Sequence, residues 1–299
     1  EPIVSQLYGK NIKTPYNWQL PPIYTECRKK LRISAAVLAQ ADAVTREVDC
    51  DKGQSLEAAV MKGQGSAEHF YIDVRGHCEE VVTIERDDVT IDGDGEATVG
   101  GFYVQGGRRI TLAALTVTGP GTGIEVARGD VKVVDVTLAD NAEFGLFLGH
   151  GSSAVLESST ISGNSIGLTV RNGSNVIINE SDISNNYETG IETWNAASVV
   201  VDDYSTISGN EGGGIDAALH TSIVLMPGSS ITSNSNYGVK LAEDCGLDIR
   251  PDVVICGHGY LSEFCEGAEF CGVYCGDTES SVLVLSDIDD VIVCTDFNE

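Results

Sequence analysis

The sequence has little that is basic: among 299 residues, 18 Lys and Arg stand against 45 Asp and Glu, giving a net charge of −27 and a pI near 4.3. Phosphate contacts require clustered Lys and Arg, so this balance excludes a nucleic-acid partner. Aromatic residues are scarce at 6%, prolines number 7, and cysteine is absent from 79 to 244. No apolar run approaches the roughly 18 residues a helix needs to cross a bilayer, so no transmembrane segment is expected. Glycine, by contrast, is plentiful at 34, within a sequence that is 42% hydrophobic. That mixture suits short packed elements between many turns and rules out disorder of the whole chain.

Charge is distributed unevenly. Residues 1–46 carry seven bases against three acids, together with Pro2, Pro15, Pro21 and Pro22. Proline disfavours helix interiors and central strands, so this leader reads as an extended arm. One short amphipathic helix is expected from about Glu26 to Thr45. The alternative is a signal-peptide tail, with basic Arg28 to Arg32, apolar Ile33 to Ala39 and the small-residue match Ala39-Gln40-Ala41. Residues 246–299 carry twelve acids and Arg250 as the one base. The expected division is a basic arm and helix at 1–46, a repeating body at 47–255 and an acidic, Cys-rich cap at 256–299.

The middle of the chain repeats. A glycine followed by an apolar residue recurs at Gly101, Gly123, Gly145, Gly167, Gly190, Gly214 and Gly238, with spacings of 22, 22, 22, 23, 24 and 24. A second marker keeps the same phase: Leu138 to Asn141, Ile161 to Asn164, Ile183 to Asn186, Ile207 to Asn210 and Ile231 to Asn234. A third apolar run lies between them, as at Val176 to Ile178 and Val199 to Val201. Each repeat is too short for a strand with a crossover helix. It therefore closes by coiling, three strands to a turn, with each strand pairing to its counterpart in the next turn. The expected fold is all-β, a single-stranded parallel β-helix of 22 to 24 residues per turn. A leucine-rich repeat is set aside because its Leu-x-x-Leu-x-Leu run is missing. The in-phase asparagines fit an internal ladder of stacked amides.

Through these two markers, residues 47 to 255 resemble the right-handed parallel β-helix repeat proteins of the pectate-lyase-like superfamily. The resemblance implies that Val48 to Val60 supplies a first strand and a short helix plugging the N-terminal end, where open stacking would expose core and unpaired edges.

The nine cysteines sit at the two ends. Zinc would need paired ligands, and Cys271-x-x-x-Cys275 is a loose match. Disulfides are therefore expected among Cys50, Cys78, Cys245, Cys256, Cys265, Cys271, Cys275 and Cys294, with Cys50 paired to Cys78 across neighbouring turns and Cys27 left over. Disulfides place the protein outside the reducing cytosol: secreted, at the cell surface or in another oxidising compartment. Asp92, Asp94 and Glu96 resemble the opening of a calcium loop. The twelfth position holds Tyr103 where a bidentate Glu belongs, so an acidic turn with at most weak calcium binding is expected, and no other cofactor.

Chemistry is sought on one outward face. Two residues after each marker glycine come Tyr103, Glu125, Phe147, Thr169, Glu192, Asp216 and Lys240, and two further on come Gln105, Ala127, Gly149, Arg171, Trp194, Ala218 and Ala242. Stacking at about 4.8 Å gathers Arg171, Glu192, Trp194, Asp216 and Lys240 into one patch. Trp194, Phe147 and Tyr103 could stack sugar rings, while Glu192, Asp216, Lys240 and Arg171 are the candidates for acid–base chemistry. An inert solvated sheet has the same composition. The Asn-Thr-Asp and Arg-Ile-Lys motifs of polygalacturonases, a related β-helix family, are missing, although Asp202-Asp203, Gly149-His150-Gly151 and Gly257-His258-Gly259 are present. His150 and His220 fall near turns. The expected function is a structural, adhesive or carbohydrate-binding role outside the cytoplasm. The partner would be a polysaccharide or a neighbouring subunit, reached in part through residues 1–25 in a homo-oligomer. The competing expectation is a lyase or hydrolase acting on an acidic polysaccharide.

Overall fold

A computed structural model describes residues 44–62, 69–256, 272–275 and 281–284. They form a parallel β-solenoid of about nine turns with about 23 residues per turn. Strands pair with the equivalent strand one turn away: Ile191–Trp194 lies between Leu168 to Arg171 and Ile215–Ala218, all parallel and in register. Three sheets result. Sheet A contains Phe144–Gly149, Ile166–Arg171, Ile191–Trp194, Ile215–Ala218 and Val239–Leu241. Sheet B contains Asn175–Asn179 and Ser198–Asp202, and sheet C contains Asp182–Ser184 and Thr206–Ser208, each with equivalents in other turns.

Alternation within each strand turns its aliphatic residues inward, where Ile191, Ile215, Val199, Val201 and Ile207 are completely buried. Burying each such side chain contributes about 1.5–3 kcal/mol. The turns are satisfied by internal polar ladders. The Oδ1 of Asn164 accepts from the backbone N–H and the amide Nδ2 of Asn141, at 3.0 and 2.9 Å, and the pattern continues through Asn186 and Asn210 to Asn234. A second ladder was not anticipated: the backbone N–H of Ser159 donates to Ser181 Oγ, and that of Ser181 to Ser205 Oγ. Its signal is in the sequence, since Ser159, Ser181, Ser205 and Ser229 each stand two places before the marker isoleucine.

The marker glycine has a steric cause. A Cβ on Gly190 would lie 2.7 Å from Asn210 Nδ2 and 2.8 Å from Ile207 Cγ2, so the asparagine ladder and the glycine require each other.

At the N-terminal end, strand β1 (Val44–Asp49) and helix α1 (Leu56–Lys62) carry out the capping expected of them. Leu56, Ala59 and Val60 of α1 join the same core as Val48 and Val82. Ser55 Oγ accepts from the Ala58 N–H at 3.0 Å, and Glu80 takes the Leu56 and Glu57 N–H groups. A disulfide joins Cys50 to Cys78.

Two boundaries differ from expectation. Val44 and Thr45, placed at the end of a helix from Glu26, instead open β1 because they pair in register with Phe70 and Tyr71; the rest of that segment, with the arm, lies outside the described residues. Stacking also continues past 255, since Val239 pairs with Val273 and Gly246 with Ser281. Gly272-Val273 repeats the marker after an insertion that breaks the period. Cys245 is buried at an inward ladder position, its Sγ 3.2 Å from Thr221 Oγ1 and 2.9 Å from the Ala242 carbonyl oxygen. Cys27, Cys265, Cys271 and Cys294, and the side chains of Cys256 and Cys275, fall outside the described residues.

Candidate functional site

Sheet A holds both expected columns. Tyr103, Glu125, Phe147, Thr169, Glu192, Asp216 and Lys240 are each in register with the next. Arg171 is likewise in register with Trp194, and Trp194 with Ala218. The rigid stacking therefore brings Arg171, Glu192, Trp194, Asp216 and Lys240 onto one surface.

Their side chains form two linked groups. Arg171 donates from Nη2 to Glu192 Oε2 at 2.8 Å, with the two side chains 28% and 17% exposed. The same guanidinium lies 4.4 Å from the Trp194 ring centroid, 5.6 Å from that of Phe147 and 6.0 Å from that of Phe144. It is held by cation–π attraction as well as by charge. Phe144 and Phe147 pack at 5.4 Å between centroids. Thr169, between Phe147 and Glu192, is fully buried despite its outward position, and its Oγ1 has no hydrogen-bond partner among the described residues.

The second group centres on Asp216, whose Oδ2 accepts from Lys240 Nζ and from the Tyr237 hydroxyl, each at 3.0 Å. Tyr237 reaches Asp216 because its ring lies over Gly213; a Cβ on Gly213 would fall 2.1 Å from Tyr237 Cε2. Burial, and then the charge of Asp216, push the Tyr237 phenol above its ordinary value, so it remains a donor to the carboxylate. Tyr237 and Phe144 were missed at the sequence level. Both immediately precede a marker glycine, a column that was in phase and legible.

The other candidates are not part of this surface cluster. Tyr103 lies two rungs beyond Phe147, about 10 Å along the stack. Asp92, Asp94 and Glu96 occupy the long strand Val89–Gln105, where Asp92 Oδ2 accepts from Tyr71 OH at 2.9 Å and Oδ1 from the Asp94 N–H at 3.0 Å. They do not converge: among the described residues no three His, Cys, Asp or Glu side chains are grouped to hold a metal ion. Asp203 lines a shallow hollow with Tyr204, Glu180 and Asp182, away from the sheet A column. His220 Nε2 lies 3.7 Å from Asp244 at an exposed turn, His150 is exposed with a φ of 60°, and His258 is outside the described residues.

The family model described as a right handed beta helix region matches residues 87–259, more than half of the chain. The chain belongs to the right-handed β-helix family. Among solved structures, this β-helix is similar to that titled "Crystal structure of pectate lyase Pel9A", with a TM-score of 0.54 and 13% identity over 84% of this chain and 80% of that one. It is also similar to the Azotobacter vinelandii mannuronan C-5 epimerase AlgE4 A-module, with a TM-score of 0.41 and 14% identity over 79% of this chain and 94% of that one. At such identities the likeness is one of fold. No curated protein matches.

Proposed function

We propose that this β-helix protein works outside the cytoplasm and binds carbohydrate on sheet A, around Trp194. The observation that carries this reading is the Trp194 ring, 39% exposed and stacked on Arg171, beside Phe147 and the polar rungs Glu192 and Asp216. Aromatic faces take the apolar faces of sugar rings while neighbouring carboxylates accept hydrogen bonds from the sugar hydroxyls. The Cys50–Cys78 disulfide supports an oxidising location, and among the described residues no helix is long and apolar enough to cross a membrane. The fold shared with the pectate lyase structure also supports a carbohydrate ligand. Affinity electrophoresis through gels containing neutral and uronate polysaccharides tests the reading: retardation by at least one polymer, abolished in Trp194→Ala, is expected, and unchanged retardation in that variant rejects the site.

A polysaccharide lyase or hydrolase is the competing reading because Lys240 and Tyr237 both lie within hydrogen-bonding distance of Asp216. Hydrolysis of a glycosidic bond requires two carboxyl groups free to serve as acid and as base or nucleophile. Here Glu192 and Asp216 each carry a cation instead. Release of reducing or unsaturated ends that is abolished by Lys240→Ala or Asp216→Asn would reject the binding role in favour of catalysis. Residues 1–25, basic and bearing Tyr8, Tyr16, Trp18 and Tyr24, are proposed as the segment that links copies of the chain into an assembly.

A further inference from the structure

Resting on the carbohydrate-binding reading of sheet A, we infer that the polysaccharide taken there is uncharged, and that the Arg171–Glu192 pair is what rejects a polyuronate. Among the described residues the two cations of the face, Arg171 and Lys240, are the groups a uronate would seek. Each already has a carboxylate at hydrogen-bond distance, 2.8 Å for Arg171–Glu192 and 3.0 Å for Lys240–Asp216. Asp216 is held further by Tyr237. A uronate drawing Arg171 away would leave Glu192, only 17% exposed, without its counter-ion, and removing one partner of a poorly solvated pair is far costlier than the pair is worth. It would also lift the guanidinium from the Trp194 ring, losing the cation–π contact at 4.4 Å.

The charge balance of the face points the same way. Glu125, on the same column, has Tyr103 and Phe147 as its in-register neighbours and no cation among them. Glu125, Glu192 and Asp216 thus outnumber Arg171 and Lys240 on a chain of net charge −27, whose field repels a polyanion before contact. A neutral sugar meets none of these penalties. Its ring can lie on the exposed part of Trp194, and its hydroxyls can donate to carboxylate oxygens without displacing the cations that hold them. Selection operates by exclusion: the pairs are closed to a competing anion and open to a hydroxyl donor.

The test uses the full chain and matched polymers: polygalacturonan, polyglucuronan and polymannuronan, each beside its carboxyl-reduced counterpart, compared by titration calorimetry at low and high salt. At least one reduced polymer is expected to bind about tenfold or more tightly than its uronate form, with little salt dependence. Any uronate binding should strengthen as salt screens the repulsion. Glu192→Gln, which frees Arg171 while preserving shape, should narrow the preference by raising uronate affinity. A uronate polymer binding as tightly as its reduced partner overturns the inference and leaves the carbohydrate-binding reading standing. Failure of all six polymers to bind overturns that reading and the inference together.

Discussion

Arg171 and Trp194 face each other on adjacent rungs of sheet A, in register, with the guanidinium carbon 4.4 Å from the ring centroid and its Nη2 bound to Glu192 on the same strand as Trp194. One side chain thereby joins an aromatic platform to a half-buried charge. Replacing Arg171 with Ala should lower stability by about 1–3 kcal/mol, because Glu192 loses its counter-ion and the rings lose their packing. Arg171→Lys should recover only part of this, since an ammonium lacks the flat face and the fork. Urea unfolding of the three proteins measures the difference.

The asparagine ladder should be far more sensitive than the similar pair on the surface. Asn186 is completely buried, and its Oδ1 accepts from the backbone and the amide of Asn164. Asn186→Ala leaves those donors unsatisfied and should cost about 3 kcal/mol or more. Asn172→Gly removes an exposed hydrogen bond from Asn195 Nδ2 at 2.8 Å without straining the left-handed backbone at that position (φ 56°), and should stay within about 0.5 kcal/mol. Equal losses in the two variants would show that burial of the ladder is not what gives it weight.

The Cys50–Cys78 bridge closes a loop with a sequence separation of 28. Removing it in a Cys50→Ser, Cys78→Ser double variant, or by reduction, should lower stability by about 3 kcal/mol through the entropy returned to the unfolded chain. The loss should concentrate at the α1 end, so hydrogen exchange in Val44 to Ile84 should accelerate more than exchange in sheet A near Trp194.

Alkaline pH should destabilise the protein through two phenols. Burial, followed by the charge of a neighbouring Asp, raises Tyr71 beside Asp92 and Tyr237 beside Asp216 above the ordinary value of 10.0. A folded-state value raised above the unfolded one favours the fold below that unfolded value. Their contribution is therefore intact below pH 10.0 and is lost as pH rises through the folded-state values. The Tyr71→Phe, Tyr237→Phe double variant should show a flatter decline above pH 10.0, and an unchanged slope would assign the decline to other groups.

Deleting residues 1–25 should convert an assembly into monomers. Light scattering of the full and shortened chains at low and high salt measures this, and salt should weaken the full-length assembly because the arm is basic on an acidic chain. Monomers in every condition would reduce the arm to a local segment.

The period of 22 to 24 residues, read from glycines and asparagines, was sufficient to determine the coil, the three strands per turn, the inward ladder and the outward columns. These follow because each turn imposes the same constraint on the next: an inward aliphatic, an amide in phase, and a glycine where a Cβ would strike that amide. The period also placed Arg171, Glu192, Trp194, Asp216 and Lys240 on one face. What it left open was where each long side chain turns once it is there. Arg171 lies across Trp194, Phe147 and Phe144, and Tyr237 lies over Gly213 to reach Asp216, because of space and partners on adjoining turns. Tertiary structure likewise decided that Val44 and Thr45 become strand and that stacking resumes at Val273, since pairing with residues 70 and 239 overrides local pattern. Repetition makes backbone register legible from sequence, whereas the filling of a surface depends on neighbours that differ from turn to turn.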